Sequence, residues 1–183
     1  MQHPSLVRLG EAVVDAGFVV CRFDFPYRCA GRRMPDRMPT LVACFRAVEE
    51  HVRADPTLGV SWLALGGRSL GGRVASHLAA SGSVARGLVF LAFPLHPANR
   101  PGIERAAHLG AITVPMLFVQ GTRDALARWD LLAPTVAALP NAALHRIVDG
   151  DHALTVPKRV CAPAVLMQDI HAAVVGWLRG LVP

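Results

Sequence analysis

One stretch restricts the fold of this chain more than any other: Leu63-Ala64-Leu65-Gly66-Gly67-Arg68-Ser69-Leu70-Gly71-Gly72-Arg73. An apolar run feeds a Gly-x-Ser-x-Gly turn, and a small-residue segment leaves it through Val74, Ala75, Leu78 and Ala79. A serine on so sharp a strand-to-helix turn takes a strained backbone, so the residues two before and two after it, Gly67 and Gly71, must be small. The turn lifts the hydroxyl clear of the sheet. It also aims the amides that follow, those of Leu70 and Gly71, at the place where an oxyanion would form. A glycine-rich helix start packed tightly on a sheet would use the same residues, so the strand before and the helix after carry the weight.

The rest of the chain repeats the same alternation. Residues 4–16 carry Leu6, Leu9, Val13 and Val14 at helical spacing, and Gly17 stops them. Residues 18–25 form a β-branched and aromatic run ending at Pro26, the pattern of a buried strand. Residues 27–39 are rich in Arg and Pro and read as a loop; 40–54 return to helical spacing. Strands are predicted at 60–65, 88–93, 116–120 and 143–148, and helices at 70–81, 126–139 and 164–178, with Pro134 starting a second segment of the middle one. A short helical stretch falls near 104–109. Five strands alternating with helices, and no repeat, predict one α/β domain over 1–183. Its sheet should be mostly parallel with helices on both faces, in three layers.

Composition narrows the class of partner. At 52% hydrophobic and 17% charged, 183 residues can bury a real core. No apolar run approaches a bilayer span and no basic, apolar leader opens the sequence, so a cytoplasmic protein with no membrane contact is expected. The formal charge of +6 is nearly all arginine, Lys158 being the only lysine. Arg22, Arg28, Arg32, Arg33 and Arg37 form one local concentration, which reads as a solvated basic loop or as one attracting an anionic substrate or polyanion; nothing aromatic alternates with it as single-strand nucleic-acid binding would want. Cys21, Cys29, Cys44 and Cys161 lack metal-ligand spacing and read as reduced thiols, several of them buried. No metal and no cofactor are called for.

In a parallel sheet the loops leaving the strands gather at one edge. Three of them here carry Ser69, Asp124 and His152, in the order Ser, Asp, His. A serine hydroxyl needs a base to take its proton, and the base needs a carboxylate to fix its tautomer. Ser69 is thus a candidate nucleophile, His152 the base and Asp124 the acid, with Leu70 and Gly71 as oxyanion donors. Asp124 could instead cap the segment beginning at Ala125. Asp149 and Asp151 flank His152 but are poorly placed to reach its Nδ1, and read as turn residues. His96, between two prolines, is a weaker candidate base; His77 and His108 read as structural or exposed.

Taken together, Arg22-Phe23-Asp24-Phe25-Pro26-Tyr27, Pro35-Asp36-Arg37, the block from Gly66 through Ser69 to Ser76, Phe93-Pro94-Leu95-His96-Pro97, Gln120-Gly121-Thr122-Arg123-Asp124 and Asp149-Gly150-Asp151-His152 resemble the small, lidless α/β hydrolases of dienelactone-hydrolase-like type. The resemblance implies an α/β-hydrolase fold with Ser69 as nucleophile, Asp124 as acid and His152 as base, acting on a small-molecule ester or thioester. True dienelactone hydrolases use a cysteine nucleophile, so the family label does not name a substrate. In the resembling fold, strands and a His-Gly-x-Gly oxyanion loop precede a Met-x-His-Pro segment, which Met1-Gln2-His3-Pro4 matches. The resemblance therefore implies an N-terminally shortened fold without the strand between residues 18–25 and 60–65. Either those two pair directly, or another copy supplies a strand at the exposed sheet edge, making a homo-oligomer, or the fold is marginal. A binding or scaffold protein that keeps the fold without catalysis is the alternative reading.

Overall fold

Proline stands first or second in four of the six helices, where its missing N–H costs nothing and its fixed φ suits the first turn. In the computed structural model, which describes residues 3–182, these are α1 (Pro4–Asp15), α2 (Pro26–Cys29), α3 (Met38–Ala54), α4 (Leu70–Ala80), α5 (Trp129–Ala137) and α6 (Pro163–Arg179). Met1 and Gln2 of the Met-Gln-His-Pro segment lie outside the described residues, as does Pro183. Short 3₁₀ turns cover Pro56–Leu58, Glu104–Ala106 and Leu109–Ala111.

Four strands, β1 (Ala64–Arg68), β2 (Gly87–Leu91), β3 (Met116–Gly121) and β4 (Ala142–Ile147), pair in parallel in that order. Every residue of β2 and β3 is buried. Their near-continuous apolar runs are what a parallel strand covered on both faces requires. Leu41 and Phe45 of α3, Val74 and Leu78 of α4 and Leu132 of α5 pack on one face around Phe90 and Phe118. Leu9 and Val13 of α1 and Ile170 and Val174 of α6 cover the other face around Val89 and Val119. Three layers result, as predicted.

The predicted fifth strand is absent. Residues 18–25 carry no assigned helix or strand; among the described residues no ladder joins them to β1, and direct pairing with the strand before Ser69 does not occur. A strand is a property of a pair, and β-branched and aromatic content supplies only half of it. Side chains hold the segment instead: Phe18 meets Trp62 edge-on at 5.9 Å, and Phe23 meets Phe45 at 4.8 Å. Between residues 18–25 and β1 lies a groove of about 1150 Å³ that reaches Ser69.

Smaller corrections have local causes. The first ladder begins at Ala64 rather than Val60, because its partner begins at Gly87. α5 starts at Trp129 rather than Leu126; in the turn before it the Leu126 amide donates to Asp124 Oδ1 and the Arg128 amide to His96 Nε2. It then runs through Pro134 without a break. The predicted loop over 27–39 opens inside a helical turn, Pro26–Cys29. None of the four cysteines is buried: Cys21 and Cys29 are exposed, Cys44 and Cys161 half-buried, and all are free thiols. Among the described residues no helix is long and apolar enough to cross a membrane.

Candidate active site

The ends of β1, β3 and β4 place three side chains at one edge of the sheet. Ser69 follows β1 directly and caps α4 with φ 51° and ψ −117°, a conformation that non-glycine residues rarely adopt. Close packing forces it. A Cβ on Gly67 would lie 2.7 Å from the Gly71 carbonyl carbon, and one on Gly72 would lie 2.8 Å from Gly67 O. A Cβ on Gly71 meets nothing within 4 Å. The requirement for small residues thus falls on Gly67 and Gly72, and the predicted constraint at Gly71 is corrected.

Serine at a helix cap usually accepts a bond from its own first turn, but Ser69 makes no such bond. Its Oγ lies 2.8 Å from His152 Nε2. His152 Nδ1 lies 2.8 Å from Asp124 Oδ2. A carboxylate only accepts, so Nδ1 carries the proton and Nε2 is left as the acceptor facing the Ser69 hydroxyl. The Ser69 amide is spent on Leu91 O at 2.8 Å. The first-turn amides of α4 that follow, Leu70 and Gly71, have no intrahelical partner, and both residues line the groove with Ser69.

Asp124 is 3% exposed and fully engaged. Its Oδ1 accepts from the Leu126 amide at 2.8 Å, and its Oδ2 accepts from Gln120 Nε2 at 2.6 Å as well as from His152. It is therefore both a turn residue and the partner of His152. Gln120, fully buried near the end of β3, was missed by the sequence reasoning. One amide at the end of an otherwise apolar run, four residues before the carboxylate, was the available signal.

The loop bearing His152 owes its shape to its neighbours. Asp151 accepts from the Ala153 and Thr155 amides, each at 2.9 Å, and from Thr155 Oγ1 at 3.0 Å. Asp149, at φ 57°, donates its amide to Thr122 Oγ1 at 2.9 Å. Both flanking aspartates thus build the turn. His96 is 1% exposed; its Nδ1 donates to Pro97 O at 2.8 Å and its Nε2 accepts from the Arg128 amide at 2.9 Å. Both ring nitrogens are spent on backbone.

A second serine–histidine contact joins Ser76 Oγ to His108 Nε2 at 2.7 Å. The Ser76 hydroxyl proton goes to Arg73 O, also at 2.7 Å, so Oγ accepts from Nε2–H and the imidazole is not poised to take a proton from it. His108 stacks on His77 with ring centroids 3.8 Å apart. Burial, then His77 and Arg73, push its pKa down to about 4, and burial and Arg73 lower that of His77. The pair is structural.

Residues 1–177 match the family described as alpha/beta hydrolase domain. Among solved structures, Est1E from Butyrivibrio proteoclasticus is similar at a TM-score of 0.76 and 14% identity, over 98% of this chain and 82% of that one. A dienelactone hydrolase from Anabaena variabilis is similar at 0.75 and 14%, over 100% and 81%. An alpha-beta serine hydrolase homologue from Coxiella burnetii is similar at 0.69 and 17%, over 97% and 77%. At these identities the likeness is one of fold.

Proposed function

The chain belongs to the alpha/beta hydrolase domain family, and from that premise we propose that it is a serine hydrolase acting on a small ester or thioester through an acyl-enzyme. The observation that carries this reading is the unbroken relay from Ser69 Oγ to His152 Nε2, and from His152 Nδ1 to Asp124 Oδ2, each contact at 2.8 Å. Ser69 attacks the acyl carbonyl as His152 Nε2 takes its proton. Asp124 holds the ring in that tautomer and stabilises the imidazolium. The Leu70 and Gly71 amides, at the positive end of α4, face the oxyanion. Collapse expels the alcohol or thiol, protonated by His152, and a water activated at the same nitrogen then releases the acid.

The groove beside Ser69 supplies room for a small molecule, and its apolar wall includes Phe23, Phe25 and Leu65. No step calls for a metal or cofactor. A fluorophosphonate probe tests the reading without knowledge of the substrate, since it reports an activated serine. The protein should be labelled at Ser69, and Ser69→Ala should abolish labelling and esterase turnover while leaving the thermal melt unchanged. Labelling that survives in Ser69→Ala, or no labelling of the native protein, would refute it.

A further inference from the structure

The loop carrying His152 is under strain. Asp149 and Leu154, on either side of the histidine, both take positive φ, 57° and 55°, and neither is glycine. Such residues persist only where their surroundings over-determine them. The bonds made by Asp151 fix the loop's internal shape, and Thr122 and the Arg123 amide tie it to the end of β3. None of these bonds sets its distance from the nucleophile, which stands on a different strand.

We propose that Arg68, the last residue of β1, is a positioning residue that fixes His152 over Ser69; the inference rests on the serine-hydrolase reading above. Its Nη2 donates to the backbone carbonyl of His152 at 3.2 Å. Among the described residues this is the one hydrogen bond between β1 and residues 149–155. Arg68 pairs in register with Leu91, and its side chain leaves the sheet on the α1/α6 side. There it shares a small hollow with Leu9, Leu91, Ala153, Leu154 and Ile170.

Two features mark this as more than packing. Arg68 Nε is buried with no partner. A side chain serving only to fill the hollow would not carry that cost, since an apolar one would fill it without an orphan donor. The contact also falls on the base itself, on the carbonyl of the residue whose ring must face Ser69. Arg68 and Ser69 are consecutive, so the guanidinium converts the position of β1 into the position of the imidazole. The planar fork, always charged, holds a carbonyl in a way that the flexible lysine ammonium does not. A misplacement of about 1 Å at a reacting pair costs on the order of 10²-fold.

The test uses Arg68→Met, which keeps the stem and loses every donor, beside Arg68→Lys and Arg68→Ala. The readouts are fluorophosphonate labelling of Ser69, turnover of p-nitrophenyl acetate, and hydrogen exchange over 149–155. Arg68→Met should be labelled roughly 100-fold more slowly. Its kcat should fall likewise with KM within twofold, and exchange should quicken over 149–155 alone. Arg68→Lys should fall about tenfold. Guanidinium chloride at tens of millimolar should restore Arg68→Ala several-fold, where sodium chloride at equal ionic strength does not. Arg68→Met labelled within threefold of the native rate, with unchanged exchange, would overturn the inference while leaving the hydrolase reading intact. If the native protein is not labelled, the hydrolase reading falls, and exchange alone decides: unchanged protection over 149–155 overturns the brace. Should Arg68→Met not fold, Arg68→Lys decides, and a native labelling rate in it overturns the proposal.

Discussion

Replacing Asp124 by Asn tests the relay most sharply, because the structure dictates how the amide must settle. Oδ1 faces one donor, the Leu126 amide, while Oδ2 faces two, Gln120 Nε2 and His152 Nδ1. An Asn NH₂ placed at Oδ1 meets an N–H head-on. Placed at Oδ2, it can be accommodated by two changes. Gln120 turns its amide over, which is cheap because its Oε1 is buried with no partner. His152 gives up the proton on Nδ1 and carries it on Nε2, pointing a donor at the Ser69 hydroxyl. Either arrangement leaves the backbone in place. The second removes the acceptor that activates Ser69, and in a Ser-His-Asp relay the same swap costs about 10⁴ in rate. The lost or frustrated bond at a buried site costs about 1–3 kcal/mol, against roughly 5–15 kcal/mol for a whole domain, so the variant should still fold. Labelling rates measured beside a urea melt separate the two effects. Labelling within tenfold of native would refute the role of Asp124, and a larger loss in Asp149→Asn would reassign the acid.

Three further outcomes are expected. His152→Ala should slow labelling by as much as Ser69→Ala does, because members of such a unit do not act additively; a residual rate above 1% of native would contradict this. Gly67→Ala should destabilise by about 1–3 kcal/mol and slow labelling, since its Cβ would meet the Gly71 backbone at 2.7 Å, whereas Gly71→Ala should be near neutral in a denaturant melt. His108 and His77 both titrate below their usual pKa in the folded state, His108 at about 4. The unfolded chain therefore binds more protons below about pH 6.5. Stability should fall as pH drops from about 6.5 towards 4, and His108→Gln should flatten that slope in melts at stepped pH.

The parts of this fold legible in the sequence are those decided by local pattern. β2 and β3 declare themselves as apolar runs, and α1, α3 and α6 as periodic segments with proline at the first or second residue. What pattern could not reveal depends on partners distant in the chain. Residues 18–25 have every strand preference and no ladder. The site divides in the same way. The meeting of Ser69, Asp124 and His152 was legible because each residue type stands just after a strand, and parallel strands release their loops at one edge. Gln120 and Arg68 were not, because a buried amide or guanidinium acquires its role only from what lies across the fold. The glycine requirement was assigned one residue early. Gly71 satisfies the Gly-x-Ser-x-Gly pattern, but it is a Cβ at Gly72, not at Gly71, that would run into Gly67.

Strain points to the same edge independently of any motif. Among the described residues four non-glycine residues take positive φ: Ser69, Ala92, Asp149 and Leu154. Ser69 follows the end of β1, Ala92 the end of β2, and Asp149 and Leu154 lie in the loop leaving β4. A conformation that costs on the order of 1–3 kcal/mol per residue is therefore confined to the loops at the C-terminal ends of the strands. Where positive φ occurs in turns elsewhere, as after α1 and α4, glycine supplies it at Gly17 and Gly82. Glycine would have relieved the strain at the strand ends too. At position 69 it would have removed the hydroxyl, and at 149 and 154 it would have loosened the loop that aims His152. The pattern of strain is what a chain shows when local preference is overruled at one edge and obeyed in the turns elsewhere.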